Sequence, residues 1–179
     1  MSAQSLPTDC IVNFWKNKFN IDIHPYYAVA KKATSESRLR LLHFKIIRNI
    51  YPTNILLSKM KVKSSNECET CKVIDFIEHF FVNCKRLNGF WDHVTNYILT
   101  NIGVKVNLSD KQILCGIVPK DYPEISIEEI NFINHVLLIG KMGISKMRYG
   151  KCNNIYLIFE LDIIMRATNG FLTLPHREA

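Results

Sequence analysis

Cys68, Cys71, His79 and Cys84 follow one another as C-x2-C-x7-H-x4-C, which places three thiols and one imidazole in a single short stretch. Four N/S donors at this spacing are what a tetrahedral zinc ion takes in a closed structural site. A C-x2-C pair folds into a tight knuckle that aims both sulfurs at one ion, and a short helix over 75–83 would bring His79 back toward it. With every corner filled by protein, no position is left for a substrate or an activated water, so the expected role of one Zn2+ is structural. Two other readings of these cysteines stay open: reduced thiols buried in a core, and disulfides. The regular spacing weighs against the first. The second needs an oxidising compartment, and residues 1–10 carry no apolar stretch of the kind that heads a secretory signal. His93 is the alternative fourth ligand. His79 is preferred because it lies closer along the chain to Cys71 and Cys84.

The net charge of +7 is unevenly placed. Acidic and basic residues balance in 1–30 and again in 73–179. The whole excess sits in 31–72, where Lys31, Lys32, Arg38, Arg40, Lys45, Arg48, Lys59, Lys61, Lys63 and Lys72 face only Glu36, Glu67 and Glu69. A basic block that runs directly into a metal knuckle points to a polyanionic partner, RNA or DNA, gripped through phosphate and largely without regard to sequence.

The elements that must position these residues are helical. Leu39, Leu42, Ile46 and Ile50 fall on one face of a helix expected from Thr34 or Ser35 to residue 50, where Tyr51-Pro52 stops it. Its other face mixes Arg38, Leu41, Phe44, Lys45 and Arg48, so it is either covered by a second layer or in contact with a ligand. A short helix over 53–60 follows, and Lys59, Lys61 and Lys63 would line one side if the chain there is extended. Beyond the knuckle, Leu87, Trp91, Val94, Ile98 and Ile102 mark the inward face of a helix over 85–102, ended by Gly103. Residues 104–125 read as loop around one apolar segment, Ile113 to Val118. The pair Ser126 and Glu129 is a capping box that opens a long helix to about Tyr149, apolar nearly all round from Phe132 to Ile139. Asn153 or Asn154 caps a last helix from 155 to about 168, closed by Gly170. The fold expected is therefore mainly α, a helical domain with a C-C-H-C zinc knuckle inserted between helices. Its regions are an N-terminal arm (1–33), basic helices plus knuckle (34–103), and a C-terminal helical region packed on them (104–179). A chain of 179 residues that is 47% hydrophobic can bury a real core. Its best membrane candidate, 155–165, is interrupted by Glu160 and Asp162, so a soluble intracellular protein is expected.

Several of these features recur together in one family. The series Leu39-Arg-Leu-Leu-His-Phe-Lys45-Ile-Ile-Arg48, Pro52-Thr-Asn-Ile-Leu-Leu57, Cys68-x2-Cys71-x7-His79-x4-Cys84, Phe90-Trp91 and Ile113-Leu-Cys-Gly116 resembles the C-terminal zinc-binding region of non-LTR (LINE-type) retrotransposon reverse transcriptases. The likeness covers roughly residues 25–165, and the C-C-H-C set followed by Phe-Trp is its most specific part. It implies a domain downstream of a polymerase, holding template RNA or target DNA, with Cys68, Cys71, His79 and Cys84 as zinc ligands, in a nuclear or cytoplasmic ribonucleoprotein. The chain has no aromatic-x-Asp-Asp polymerase motif, no Asp-Asp pair and nothing like an endonuclease. It is expected to be non-catalytic, a separated C-terminal piece or an inactive remnant of such an element.

Two functions follow. In the first, zinc fixes the fold while Lys31, Lys32, Arg38, Arg40, Lys45, Arg48, Lys59, Lys61 and Lys63 neutralise phosphates and Phe44 or Tyr51 stacks on bases. In the second, an exposed apolar face docks on a separate reverse transcriptase polymerase domain. An enzyme is a weaker third reading, because His24, His43, His135 and His176 have no adjacent nucleophile or carboxylate partner. Cys10, Cys115 and Cys152 are expected to be ordinary thiols.

Overall fold

A computed structural model describes residues 8–150 and 153–175, with side chains from residue 12 onward; the side chains of Cys10, Cys152 and His176 therefore lie outside the described part. The eight α-helices in these residues are α1 (Thr8–Phe19), α2 (Val29–Ala33), α3 (Ser37–Ile47), α4 (Asn54–Lys59), α5 (Phe90–Ile102), α6 (Asp110–Cys115), α7 (Ile127–Tyr149) and α8 (Ile155–Thr168). No strand forms among the described residues; one isolated antiparallel bridge joins Glu67 and Ile74.

The long helix α7 is the centre. Its capping box closes as the sequence predicts: Glu129 N donates to Ser126 Oγ at 3.2 Å, and Ser126 N donates to Glu129 Oε2 at 3.1 Å. From Phe132 to Lys141 every side chain is buried, because α2, α3, α5 and α8 all pack around it. Gly140 makes the α5 crossing possible, since a Cβ there would sit 3.2 Å from the Trp91 ring. Asn134, buried on the same helix, clamps the backbone of Ile117 from both sides, with Oδ1 accepting its N–H at 2.8 Å and Nδ2 donating to its carbonyl at 2.9 Å. The predicted loop around Ile113 to Val118 is thus a buried strap headed by α6. The last helix also matches expectation, with Asn154 Oδ1 accepting from Leu157 N at 3.2 Å and Gly170 in the left-handed region at its end.

The N-terminal arm joins the core through Trp15, whose Nε1 donates to Ile47 O at 2.7 Å, and through Tyr26, which is fully buried.

Three boundaries differ from the sequence reading. Helix α3 begins at Ser37, because Thr34 is extended and its hydroxyl accepts the Glu36 N–H at 3.2 Å. It ends early as well: Asn49 takes φ 51°, and Asn49 N and Ile50 N bond to Ile46 O and Lys45 O, a Schellman closure. Ile50 consequently leaves the inner face that Leu39, Leu42 and Ile46 occupy. The helix expected over 85–102 is split, with a 3-10 turn at Lys85–Leu87, a reversal at Gly89 (φ 72°) and then α5. Its inward residues Leu87, Trp91, Val94, Ile98 and Ile102 are nonetheless all buried. Finally, Lys59, Lys61 and Lys63 do not line an extended edge. Lys61 sits at φ 59° with Lys61 N and Val62 N bonded to Ser58 O and Leu57 O, so the chain curls back at the end of α4.

Candidate metal centre

The knuckle is built by a tight reversal between Asn66 and Asp75. Cys68 N donates to Val73 O at 2.8 Å, Lys72 N to Cys68 O at 2.9 Å and Asp75 N to Asn66 O at 2.9 Å, with Lys72 at φ 58° turning the corner. This curl points Cys68 and Cys71 to one side. The returning helix starts at 77 and widens into a π turn at His79–Asn83. Such a turn aligns residues five apart, and His79 and Cys84 are five apart, so both reach the same point. The same widening turns the adjacent rings of Phe80 and Phe81 inward, where Tyr51 meets them edge-on at 5.0 and 4.7 Å. Trp91 Nε1 donates to Phe81 O at 2.8 Å and ties the turn to α5.

The four ligand atoms of Cys68, Cys71, His79 and Cys84 lie within 4.8 Å of one another. Cys84 Sγ is 3.8 Å from Cys68 Sγ and 3.7 Å from Cys71 Sγ. A tetrahedron with Zn–S bonds of about 2.3 Å has S···S edges of about 3.8 Å. A disulfide needs about 2.05 Å, so these are free thiols at metal-ligand spacing. His79 Nε2 is buried without a hydrogen-bond partner. Burial pushes the Cys68 thiol up, but the Cys71 and Thr70 backbone N–H groups and the His79 and Cys84 side chains outweigh it and carry it down to about 6. Burial and the neighbouring sulfurs push Cys84 up to about 12. The cluster accepts one negative charge readily and resists the next, because three thiolates in contact repel unless a cation stands among them. A divalent ion of thiolate and imidazole preference fits this donor set. His93 takes no part: it stands on α5, 3.6 Å from Glu160 and against the rings of Tyr156 and Phe159.

The surroundings contain residues that the sequence did not single out. Asp75 is fully buried, and its Oδ2 accepts from Arg148 Nη2 on α7 at 2.6 Å and from Asn54 N at 3.2 Å. Asn54 Nδ2 donates to Glu67 O at 2.7 Å. The Asp75 carboxylate thereby caps α4, a role Thr53 leaves open, and fastens the knuckle to both α4 and α7. Arg148 also lies 4.3 Å over the Phe80 ring. An acid at the head of the helix expected over 75–83 is a visible signal; a partner 73 residues away is not. Glu78, also buried, pairs with Lys18 of α1.

The basic block divides. Lys31 and Lys32 are exposed at the end of α2, and Lys59 and Lys61 at the end of α4. Lys63 pairs with Glu69 at 3.0 Å. Arg40 is directed at backbone, donating to Thr34 O at 2.6 Å and to Lys31 O at 3.4 Å, where it closes the C-terminus of α2. On the outer face of α3, Arg38 is exposed, Lys45 and Arg48 are half-buried, and Leu41 and Phe44 are 53% and 48% exposed. No second layer covers this face among the described residues. The Arg48 guanidinium lies between rings, 5.6 Å from Phe44 and 5.4 Å from Tyr27. Tyr51 is buried and is a core ring. No protein-family model, curated protein or solved structure matches the chain.

Proposed function

We propose that this chain is a non-catalytic nucleic-acid-binding module in which one structural zinc ion, held by Cys68, Cys71, His79 and Cys84, fixes the surface that contacts RNA or DNA inside the cell. The observation that carries the reading is a contrast in how cations are used. Outside the block, Lys18, Lys111, Lys146, Arg148 and Arg166 are matched to Glu78, Asp121, Asp162, Asp75 and Glu36 and Lys141 is bound to a backbone carbonyl, while Lys16, Lys85, Arg86, Lys105 and Lys120 have no ion pair among the described residues. Within it, Lys31, Lys32, Arg38, Lys45, Arg48, Lys59, Lys61 and Lys72 have no ion pair among the described residues, and Glu36 is drawn away by Arg166 of α8. Cations left unmatched on one block are what a polyphosphate neutralises, releasing its condensed counterions. The motif order that resembles the zinc-binding region of LINE-type reverse transcriptases points the same way.

Binding of labelled oligonucleotides followed against salt tests this. Affinity should fall with a log–log slope of about 0.7 to 0.9 per phosphate contacted. Replacing Lys31 and Lys32 together by Gln should lower the slope by about two. Lys146→Gln, which removes a cation already paired with Asp162, should leave it unchanged. A flat titration at low salt would sink the proposal.

A second reading has its own support. Leu157, Leu161, Ile164 and Met165 on α8, with Phe171 and Leu174 after it, are each about half exposed. An apolar surface of this kind is a protein-docking surface, and a separate polymerase domain is the partner that the resemblance offers. The two surfaces are compatible in one molecule. Copurification of a polymerase domain that is lost on Leu161→Asp, with nucleic-acid affinity unchanged, would establish the second.

A further inference from the structure

Between α3 and the C-terminal end of α7 runs a groove of about 330 Å³, lined by Arg38, Leu41, Lys45, Tyr51, Met142 and Tyr149 among others. Its polar groups are mostly spoken for. Tyr51 donates to Ser145 Oγ at 2.6 Å, and the Tyr149 hydroxyl donates to Pro52 O, which fixes the Tyr149 ring as a wall. That ring is backed by Phe80, at 6.1 Å between centroids, yet Tyr149 stays 55% exposed. What remains is an apolar slot with one rigid aromatic side, one exposed aliphatic side at Leu41, and two cations, Arg38 and Lys45, that no acidic side chain pairs among the described residues. An apolar slot alone would accept many ligands; unmatched cations on its rim select an anionic one. The volume stands at the small end of the roughly 300–1,000 Å³ of ligand clefts, enough for a ring system that has left its stack, whereas the bases of a duplex are stacked on one another and do not present a face to Tyr149.

We propose that this groove takes the base of an unpaired nucleotide, set against Tyr149 and Leu41, while Arg38 and Lys45 hold the flanking phosphates; single-stranded RNA or DNA is therefore the preferred ligand over duplex. The inference rests on the nucleic-acid-binding reading and adds to it the strand state and the place. Phe44, one turn further along α3 and 48% exposed, offers a second ring to the neighbouring base. Stacking tolerates every base because each has a π face, so preference among sequences is slight.

The test uses the full chain with zinc bound, and compares an oligothymidylate, an oligouridylate and a duplex of the same length at one salt concentration. Single strands should bind at least about five-fold more tightly than duplex, the effect of one stacked base. Tyr149→Ala should weaken single-strand binding by about five-fold or more and leave duplex binding and the salt slope unchanged, whereas Tyr149→Phe, which keeps the ring and loses only its bond to Pro52 O, should weaken it less. Leu41 and Arg38 are exposed, so Leu41→Ala and Arg38→Gln keep the fold should Tyr149→Ala lose it. Leu41→Ala should weaken single strands selectively, and Arg38→Gln should weaken both polymers and lower the slope by about one. Equal affinity for single strand and duplex, or single-strand binding unmoved by Leu41→Ala and by a folded Tyr149→Ala, would overturn the groove assignment and leave the charge-based reading standing. Absence of binding to any of the three polymers at low salt would overturn both.

Discussion

The knuckle at 66–84 and the bundle around α7 are held together by opposite means. In the bundle, Ile133, Val136, Leu137, Leu138 and Ile139 are buried on every side of one helix, and each apolar contact is backed by its neighbours. In the knuckle, Val73, Ile74 and Phe76 are 49%, 46% and 41% exposed; apolar burial is confined to Ile77, Phe80 and Phe81 on the returning helix, and Cys68, Asp75, Glu78, His79 and Cys84 are buried beside them. One region is stabilised by apolar burial that no ligand controls. The other buries no aliphatic or aromatic side chain in its reversal at 66–76, and on the proposed reading that reversal depends on an ion, one buried ion pair and the hydrogen bonds of a tight turn. Folding free energy that comes from a ligand can be withdrawn.

The largest expected effect follows from that difference. Chelation, or Cys84→Ser, should release the knuckle while the bundle stays folded, because structural zinc contributes about 10–16 kcal/mol of apparent binding free energy in small zinc domains. Hydrogen exchange should show amides of 66–76 losing protection and those of α7 keeping it; equal loss in both regions would mean that they are not separate in the way described. Cys115→Ser, fully buried but not one of the clustered donors, should not release metal. Next in size is Asp75→Ala. It strands the Arg148 guanidinium, uncaps α4 and should destabilise by about 3–5 kcal/mol in denaturant titrations, the usual cost of breaking a buried pair. A double replacement, Asp75→Leu with Arg148→Met, should cost less than Asp75→Ala alone, since no charge is left buried.

Within the bundle a buried histidine contributes to the pH response. Burial, and then the positive charge of Lys141, push His43 down from 6.5 to about 3, while its Nε2 lies 2.9 Å from the Tyr26 carbonyl. The unfolded chain therefore takes up a proton at His43 at a pH where the folded one does not. Its contribution to stability is complete above about 6.5 and is lost as pH falls toward about 3. Thermal melts of wild type and His43→Gln between these limits should show a shallower decline in the variant; parallel curves would contradict the assignment. The smallest effect should come from Ser126→Ala, about 1 kcal/mol for a lost cap, with no change in metal content.

What could be read from the sequence divides along the same line. Local chemistry was legible: the four ligands by spacing, α7 by its capping box and unbroken apolar run, and α8 by Asn154 and Gly170. What escaped depends on partners distant in sequence or on single left-handed residues. Glu36 sits at the start of α3 as an isolated acid in a basic block, and only the fold shows it bound by Arg166, 130 residues on. Nothing in the sequence marks Lys141, yet it is buried on α7 and donates to Leu114 O at 3.0 Å. Asn49 and Lys61 adopt positive φ without being glycine, so two chain reversals carry no glycine to announce them. The π turn at His79–Asn83 could be anticipated only from the five-residue spacing of His79 and Cys84, once a shared ligand is assumed.

X-ray absorption at the zinc edge of the purified chain addresses the metal centre most directly. Three sulfurs at about 2.3 Å and one nitrogen at about 2.0 Å, in one site per chain with no bound water oxygen, are expected. Cys84→Ser should reduce the sulfur count or empty the site. A shell of oxygen and nitrogen alone, or zinc content unchanged in both amount and ligand type by Cys84→Ser, would contradict a closed centre formed by Cys68, Cys71, His79 and Cys84.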